Sequence, residues 1–177
     1  MNPFRIPIAL VRFLRKPFAE KRIIIEAMML AGWFRFVIFF FPFQILKRSL
    51  GLPRPVTPAE QSVWRPDDFP LDMHQQESTN ISEPVQAVAQ VIRSTSRRVP
   101  WESKCLVQAS SGFVMLRRRG ISCRVYLGVR RESASSGQMK PHAWLTSGQS
   151  VLIGGGELHR YAVVSVFEYD GVGTVSR

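Results

Sequence analysis

Cys105 is the residue of this 177-residue chain whose position best suits a nucleophile. It falls in residues 101–120, WESKCLVQASSGFVMLRRRG, where Ser103 fits a helix cap and Gly120 the expected stop. The spacing therefore predicts a helix with Cys105 in its first turn. Backbone N–H groups there stabilise a thiolate, which is the nucleophilic form of cysteine. A buried cysteine that acts only as a small hydrophobic residue fits the helix alone equally well.

The same stretch predicts that one face of this helix is buried. Apolar residues recur at steps of three and four, as the inner face of a helix requires: Leu106, Ala109, Phe113 and Leu116. Arg117, Arg118 and Arg119 crowd the other end, where cations suit the negative end of the helix dipole. We expect these arginines to cap the helix and to face water.

His142 is the candidate base for this nucleophile, because a cysteine nucleophile is usually activated by a histidine that a third group orients. It lies 37 residues after Cys105, at the start of a predicted strand. If that strand crosses beside the helix N-terminus, the pair can hold a thiolate and an imidazolium. Backbone N–H groups at Cys105, with a side chain near Trp101, would then bind an oxyanion. The competing interpretation of His142 is a half-buried sheet histidine at a loop edge.

The order of the predicted elements is typical of an α+β domain. A helix begins at Ser82-Glu83-Pro84 and precedes the cysteine helix, and short strands follow without intervening helices. This order predicts helices packed on an antiparallel sheet. Within the sheet, Cys123 is expected to pack at a strand start and Trp144 to share a face with His142. The strands are predicted at residues 125–129, 142–146, 151–153 and 161–167.

Composition indicates a folded protein with acidic partners. The chain is 45% hydrophobic and 21% charged, and its net charge is +11. Such a balance favours a membrane surface, an acidic peptide or nucleic acid, but no nucleic-acid motif is present. The two cysteines form no disulfide framework, which indicates a reducing, cytoplasmic compartment, and no Cys/His set has the spacing of zinc ligands.

The N-terminal region allows three interpretations. Residues 1–22 are basic, and residues 23–46 are almost wholly apolar. The apolar run is too long and too aromatic for a signal peptide. It nearly suffices for a transmembrane helix, although Arg35 at its middle would cost about 2.5–3.5 kcal/mol. The third interpretation, which we favour, is a helical pair that packs on the domain or a partner with a basic face near lipid, so that residues 23–46 contact a membrane without crossing it.

Four segments carry a resemblance to a known family: SKCLVQA, LRRRGISCRVYLGVRR, PHAWL and VLIGG. In this order and spacing they resemble the bacterial transglutaminase-like leader peptidases of lasso-peptide gene clusters. The resemblance covers residues 85–167 and implies a papain-like/transglutaminase core with the nucleophile on a helix and the base on the sheet. Composition and this resemblance together divide the chain into three regions. They are a basic and apolar helical segment at 1–50, a linker or wrapping segment at 51–80 that contains five prolines, and, as the resemblance implies, a transglutaminase-like cysteine protease domain at 81–177.

The resemblance also implies an activity and partners. Cys105 would be the nucleophile and His142 the general base of a cysteine protease that cleaves the leader from a lasso-type precursor peptide before macrocyclisation. No cofactor is implied. The partners would be the precursor, a leader-recognition protein on a separate chain and an asparagine-synthetase-like cyclase.

The chain departs from the family in the third catalytic residue. The family usually carries an aspartate about a dozen residues after the histidine, whereas no aspartate occurs here between His142 and Asp170. Glu157 is the nearest carboxylate and a candidate substitute; it could equally be a solvated loop acid. Alternatively, a backbone carbonyl orients the ring and the enzyme works as a Cys-His dyad. A non-catalytic or weakly active scaffold that binds precursor and cyclase, at a membrane surface, is the remaining alternative.

Overall fold

The computed structural model describes residues 16–41, 43–56, 82–97, 105–131, 138–156 and 158–171. Helices form one layer and a four-stranded antiparallel sheet the other, so the predicted α+β class with a helical N-terminal extension is confirmed. The helices are α1 (Phe18–Phe40), α2 (Phe43–Leu50), α3 (Glu83–Ser96) and α4 (Cys105–Arg117), and the strands are β1 (Cys123–Arg131), β2 (Met139–Ser147), β3 (Ser150–Ile153) and β4 (Ala162–Tyr169).

The sheet has the order β3-β2-β1-β4, with every neighbouring pair antiparallel. Its two faces differ in what they pack against, as the two-residue period of a strand requires. One face, with Val125, Ala143 and Leu145, joins the main core under the helices. The other carries an aromatic cluster around Tyr126, Trp144 and Tyr161. Beyond β4 the short segment 53–56 covers the sheet edge, where the Arg54 N–H donates to the Val166 carbonyl at 2.8 Å.

Helix α4 is the centre of the core. Of its predicted inner face, Leu106 is partly buried and the other three residues are buried. Every residue from Ala109 to Leu116 is buried as well, because α1 and α3 pack on the sides that the sheet leaves open. Gly112 permits the close approach to the sheet, since a Cβ there would stand 2.5 Å from Leu145 Cδ2. This approach brings the start of α4 beside β2.

The C-terminal end of α4 is closed by the predicted glycine. Gly120 has a φ of +69°, and its N–H donates to the Arg117 carbonyl at 3.0 Å. The next N–H, of Ile121, reaches back to the Leu116 carbonyl at 3.1 Å, which completes a Schellman motif.

The arginines beyond α4 do more than face water. Arg119 donates to Glu26 on α1 at 2.7 Å and to the Met115 carbonyl at 2.7 Å, and Arg118 also pairs with Glu26. Burial would raise the pKa of Glu26, but these two cations hold it below its ordinary value. The ion pairs therefore tie α1 to the end of the cysteine helix.

Helix α1 shares its core with the sheet and the other helices. Ala27, Phe34 and Val37 on one face are almost completely buried and belong to the main cluster. The opposite face exposes a run of large apolar side chains to solvent. The exposed side chains are Phe18, Ile25, Met28, Met29, Trp33, Phe36, Phe39 and Phe40, followed by Phe41.

The predicted division of the chain at residues 50 and 80 stays a prediction. Most of the predicted linker, residues 57–80, lies outside the described residues.

Candidate active site

The structure brings Cys105 and His142 together. Cys105 is the first residue of α4, and His142 lies in β2 opposite Gly128 of β1. The thiol and the imidazole are hydrogen-bonded, and both side chains are partly buried. The backbone N–H groups of Ala143 and Leu106 also bond to the sulfur. The helix start therefore meets the strand in the way that a Cys-His pair requires.

Electrostatics at this pair favour the charged form of both groups. Burial alone would raise the pKa of the Cys105 thiol, but the bonds from His142, Ala143 and Leu106 and the charge of the imidazolium bring that pKa below its ordinary value. The bond to Cys105 raises the pKa of His142 against the effects of burial and of the Arg130 charge. Both shifts act in favour of the pair of thiolate and imidazolium, which is the activated form of a cysteine nucleophile.

A backbone carbonyl holds the far side of the histidine ring. His142 Nε2 lies 2.8 Å from the Gly154 carbonyl oxygen. Because a carbonyl only accepts, Nε2 carries the hydrogen and donates it, and Nδ1 is left as the nitrogen that faces Cys105. The bond also contributes to the raised pKa of His142. The ring is therefore held by a backbone carbonyl, which is the kind of acceptor that the dyad alternative invokes.

Residue 154, whose carbonyl accepts from His142, has to be a glycine for two reasons. Gly154 follows β3 with a φ of +79°, in the left-handed region that favours glycine. A Cβ on it would stand 2.6 Å from the Ala143 carbonyl oxygen, which belongs to the strand that carries His142. Glu157, the carboxylate considered for this role, lies outside the described residues.

Aromatic rings fix the plane of His142. Its ring centroid lies 4.9 Å from that of Tyr161 and 6.0 Å from that of Trp144. Trp144 is fully buried and stacks on Tyr126 at 5.4 Å, so it shares a face with His142 as predicted and is itself core. Gly128 leaves space for this stack, since a Cβ there would stand 2.8 Å from the Trp144 ring. The imidazole is therefore oriented by packing as well as by its hydrogen bond.

A cavity of about 760 Å³ opens beside the Cys105 sulfur. One wall is formed by the starts of α4 and β2 and by the middle of β1, which contribute Cys105, His142 and Leu127. The facing residues come from N-terminal parts of the chain: Arg35 and Ile38 of α1 and the segment 53–56. At 760 Å³ the cavity is of the size that holds a short peptide segment or a small ligand.

Cys123 differs from Cys105 in its environment. It is buried at the start of β1, as predicted, and both cysteines are free thiols. Burial raises the pKa of Cys123 to about 12, and the nearby Arg117 offsets this only in part. Of the two cysteines, only Cys105 has a lowered pKa and lines the cavity, so it is the one suited to act as a nucleophile.

Two features of the site are not evident from the sequence alone. A backbone carbonyl is one of the expected ways of orienting the His142 ring, but the sequence pattern does not identify Gly154 as its source; the available signal is a glycine directly after a strand, in VLIGGG. Arg35 lies in no local pattern that predicts its position at the cavity, and in the sequence it stands only as a cost of membrane insertion.

The reactivity of Cys105 tests the electrostatics directly. Alkylation by iodoacetamide should follow a pH profile with its midpoint below that of a free thiol, about 8.5, because the lowered pKa yields thiolate at lower pH. His142→Ala removes the stabilising contact and should move the midpoint upward. Mass spectrometry of the alkylated peptides measures both rates, with Cys123 as an unreactive internal control. A midpoint at or above that of a free thiol in the wild-type protein would contradict this account.

Gly154→Ala tests the carbonyl acceptor, with Gly156→Ala as the matched control. The alanine is strained by the left-handed φ and by the Ala143 carbonyl, whereas a Cβ at Gly156 meets no atom within 4 Å. We expect Gly154→Ala to displace the carbonyl from His142 and to raise the midpoint pH of Cys105 alkylation. Gly156→Ala should leave this midpoint unchanged. Circular dichroism checks that both remain folded. An identical profile in a folded Gly154→Ala protein would show that the carbonyl does not hold the ring.

Comparison with known proteins places this sequence in a family. A family model described as the transglutaminase-like superfamily, which includes cysteine proteases, matches residues 41–166. The matched residues contain Cys105, His142 and Gly154, and α1 precedes them. No curated protein and no solved structure matches the chain. The match covers more than half of the chain, which therefore belongs to the transglutaminase-like superfamily.

Proposed function

We propose that the protein is a cysteine peptidase that removes the leader of a lasso-type precursor peptide. The observation that carries this proposal is the hydrogen-bonded pair of Cys105 and His142 at the edge of a peptide-sized cavity. The superfamily supports the chemistry, since it includes cysteine proteases. The lasso-type substrate is supported by the resemblance of residues 85–167 to the leader peptidases.

In the first half of the proposed reaction, the Cys105 thiolate attacks the carbonyl carbon of the scissile peptide bond. A tetrahedral oxyanion forms, and backbone N–H groups at the start of α4 are placed to stabilise it. As the C–N bond breaks, the His142 imidazolium gives its Nδ1 proton to the leaving amine. The leader is then held as a thioester on Cys105, and the core peptide leaves with a free N-terminus.

In the second half, a water molecule attacks the thioester. Neutral His142 takes one proton from the water at Nδ1, and the C–S bond breaks to release the leader as a carboxylic acid. The thiolate and the imidazolium are restored. Throughout the cycle the Nε2–H remains bonded to the Gly154 carbonyl, so the ring keeps its orientation while Nδ1 gains and loses its proton.

The proposed partners follow from this reaction. The precursor peptide is the substrate, a separate leader-recognition protein presents it, and an asparagine-synthetase-like cyclase takes the released core. Nucleic acid is not among the proposed partners. Transfer of the acyl group to an amine instead of water begins from the same thioester, and the mass of the leader product separates an acid from an amide.

Substitution of the pair tests the catalytic proposal. Cys105→Ala should abolish cleavage of precursor in the presence of the recognition protein, and His142→Ala should slow it by about 10²–10⁴-fold. Cys123→Ala, at a cysteine that takes no part in the mechanism, is the control and should retain activity. Chromatography of the released core peptide measures the rates. Undiminished cleavage by Cys105→Ala would leave the non-catalytic scaffold as the better proposal.

We further propose that the protein works in the cytoplasm, lying on an anionic membrane surface through the exposed face of α1. By length and composition α1 could cross a membrane. However, its other face is packed in the core, and Glu26 is ion-paired with two arginines of the domain. Crossing a bilayer would expose this core and break these pairs, which favours contact from one side.

Charge and shape both favour lipid as the surface that covers this face. Exposed aromatic and methionine side chains such as Met29, Trp33 and Phe39 lie along one side of α1, and contiguous apolar surface of this kind marks an interaction site. The adjoining residues 1–22 carry six lysines and arginines against Glu20. Apolar rings beside a basic segment are typical of helices that lie in the interface of an anionic membrane.

Vesicle binding tests this surface with a matched pair of substitutions. Met29→Glu removes an apolar side chain from the exposed face of α1 and adds a negative charge, so it should weaken binding to anionic vesicles by about tenfold or more. Met139→Glu makes the same change at an exposed methionine of β2 and should have little effect. Co-sedimentation at two salt concentrations measures the affinities. Equal binding by wild type and both variants, or none by the wild type, would contradict the proposal.

A further inference from the structure

Helix α1 contributes directly to the cavity that holds Cys105. Arg35 and Ile38 line the same space as Cys105 and His142, together with the segment 53–56. Arg35 and Ile38 precede the residues that the family model matches, whereas the segment 53–56 lies within them. The cavity is otherwise largely apolar, with Val107, Leu127, Val129 and Val164 among its lining residues.

Among the described residues, two arginines, Arg35 and Arg54, line this apolar cavity, and their surroundings differ. Arg54 donates from Nε to Glu168 at 2.6 Å, so its charge is already paired. Burial would raise the pKa of Glu168, but Arg124 and Arg54 keep it below its ordinary value and so keep the acid ionised. In the described part of the chain, Arg35 has no carboxylate within ion-pair distance and no hydrogen-bond acceptor.

A partly buried arginine that lines an apolar cavity and has no acceptor among the described residues favours an anionic ligand. Arg35 is partly withdrawn from water, which costs free energy that a hydrogen-bonded carboxylate can offset. The planar guanidinium matches a carboxylate through two parallel N–H donors, a geometry that gives selectivity as well as affinity. The apolar walls lower the local dielectric and strengthen such a pair.

We propose that Arg35 is a specificity residue, which binds a carboxylate of the substrate inside the cavity beside the Cys105–His142 pair. The ligand is an acidic side chain of a peptide, and the apolar walls around it accept the aliphatic neighbours of that residue. Recognition of a peptide rests on the proposed function, whereas the attraction of a carboxylate into the cavity does not. Arg35 takes no part in bond making or breaking.

Two small alkylating reagents test the attraction without a substrate. Iodoacetate and iodoacetamide form the same C–S bond with the Cys105 thiolate and release iodide, but only iodoacetate carries a carboxylate. Changes in the pKa or nucleophilicity of the sulfur affect both rates equally, because both reagents react with the same thiolate. The ratio of the two rates is therefore independent of such changes. We expect Arg35→Gln to lower the ratio of iodoacetate to iodoacetamide rates by about threefold to tenfold.

Matched variants separate a local effect from a change in net charge. Arg48→Gln removes an exposed arginine of α2 that does not line the cavity, and it should leave the ratio unchanged. Arg35→Lys keeps the charge without the planar donor pair and should retain part of the preference. Circular dichroism confirms that each protein is folded. An unchanged ratio in folded Arg35→Gln, or an equal fall in Arg48→Gln, would overturn the proposal.

A peptide experiment then addresses the substrate class. Where the wild-type enzyme cleaves a precursor, acidic residues near the cleavage site are replaced one at a time by Asn or Gln. One such replacement should raise KM for the wild type and leave KM for Arg35→Gln unaffected, with kcat little changed in both. No dependence on any acidic residue would overturn the proposal for peptides. Absence of cleavage altogether would count against the peptidase, and the reagent ratio would still decide the role of Arg35.

Discussion

The contact between the Cys105 sulfur and the His142 ring depends on how closely α4 lies against the sheet. Gly112 allows that approach, because a side chain there would collide with Leu145 on the neighbouring strand. The helix then begins where β2 passes, and N–H groups from both elements reach the sulfur. The burial of α4 among the sheet, α1 and α3 holds this arrangement, and both cysteines are free thiols. Packing in the core thus determines the relative positions of the Cys105 sulfur and the His142 ring.

The acceptor on the far side of His142 is a neutral carbonyl, not a carboxylate. It fixes the tautomer and the ring plane as an acid would, but it supplies no negative charge to stabilise the imidazolium. In this site that stabilisation comes first from Cys105 itself, against an opposing effect from Arg130. A glycine in the left-handed region is what makes the carbonyl available.

Helix α1 meets three different requirements along its length. One face completes the core through residues such as Phe34, a flank brings Arg35 to the cavity, and the remaining face stays exposed with its aromatic side chains. These requirements explain why the helix is apolar all round, although a simple surface helix would be apolar on one face only. They also explain its two central charges: Glu26 is paired with the end of α4, and Arg35 faces the cavity.

The sequence by itself determined the α+β class, the helix that begins at Cys105, the glycine that ends it and the strand that carries His142. These features depend on local periodicity and capping, which are visible within a few residues. Only the tertiary structure decided three other features. They are the placement of the sulfur against the imidazole, the carbonyl of Gly154 as acceptor and the position of Arg35 at the cavity. Each depends on contacts between residues far apart in the chain, and backbone acceptors have no side chain by which a sequence could reveal them.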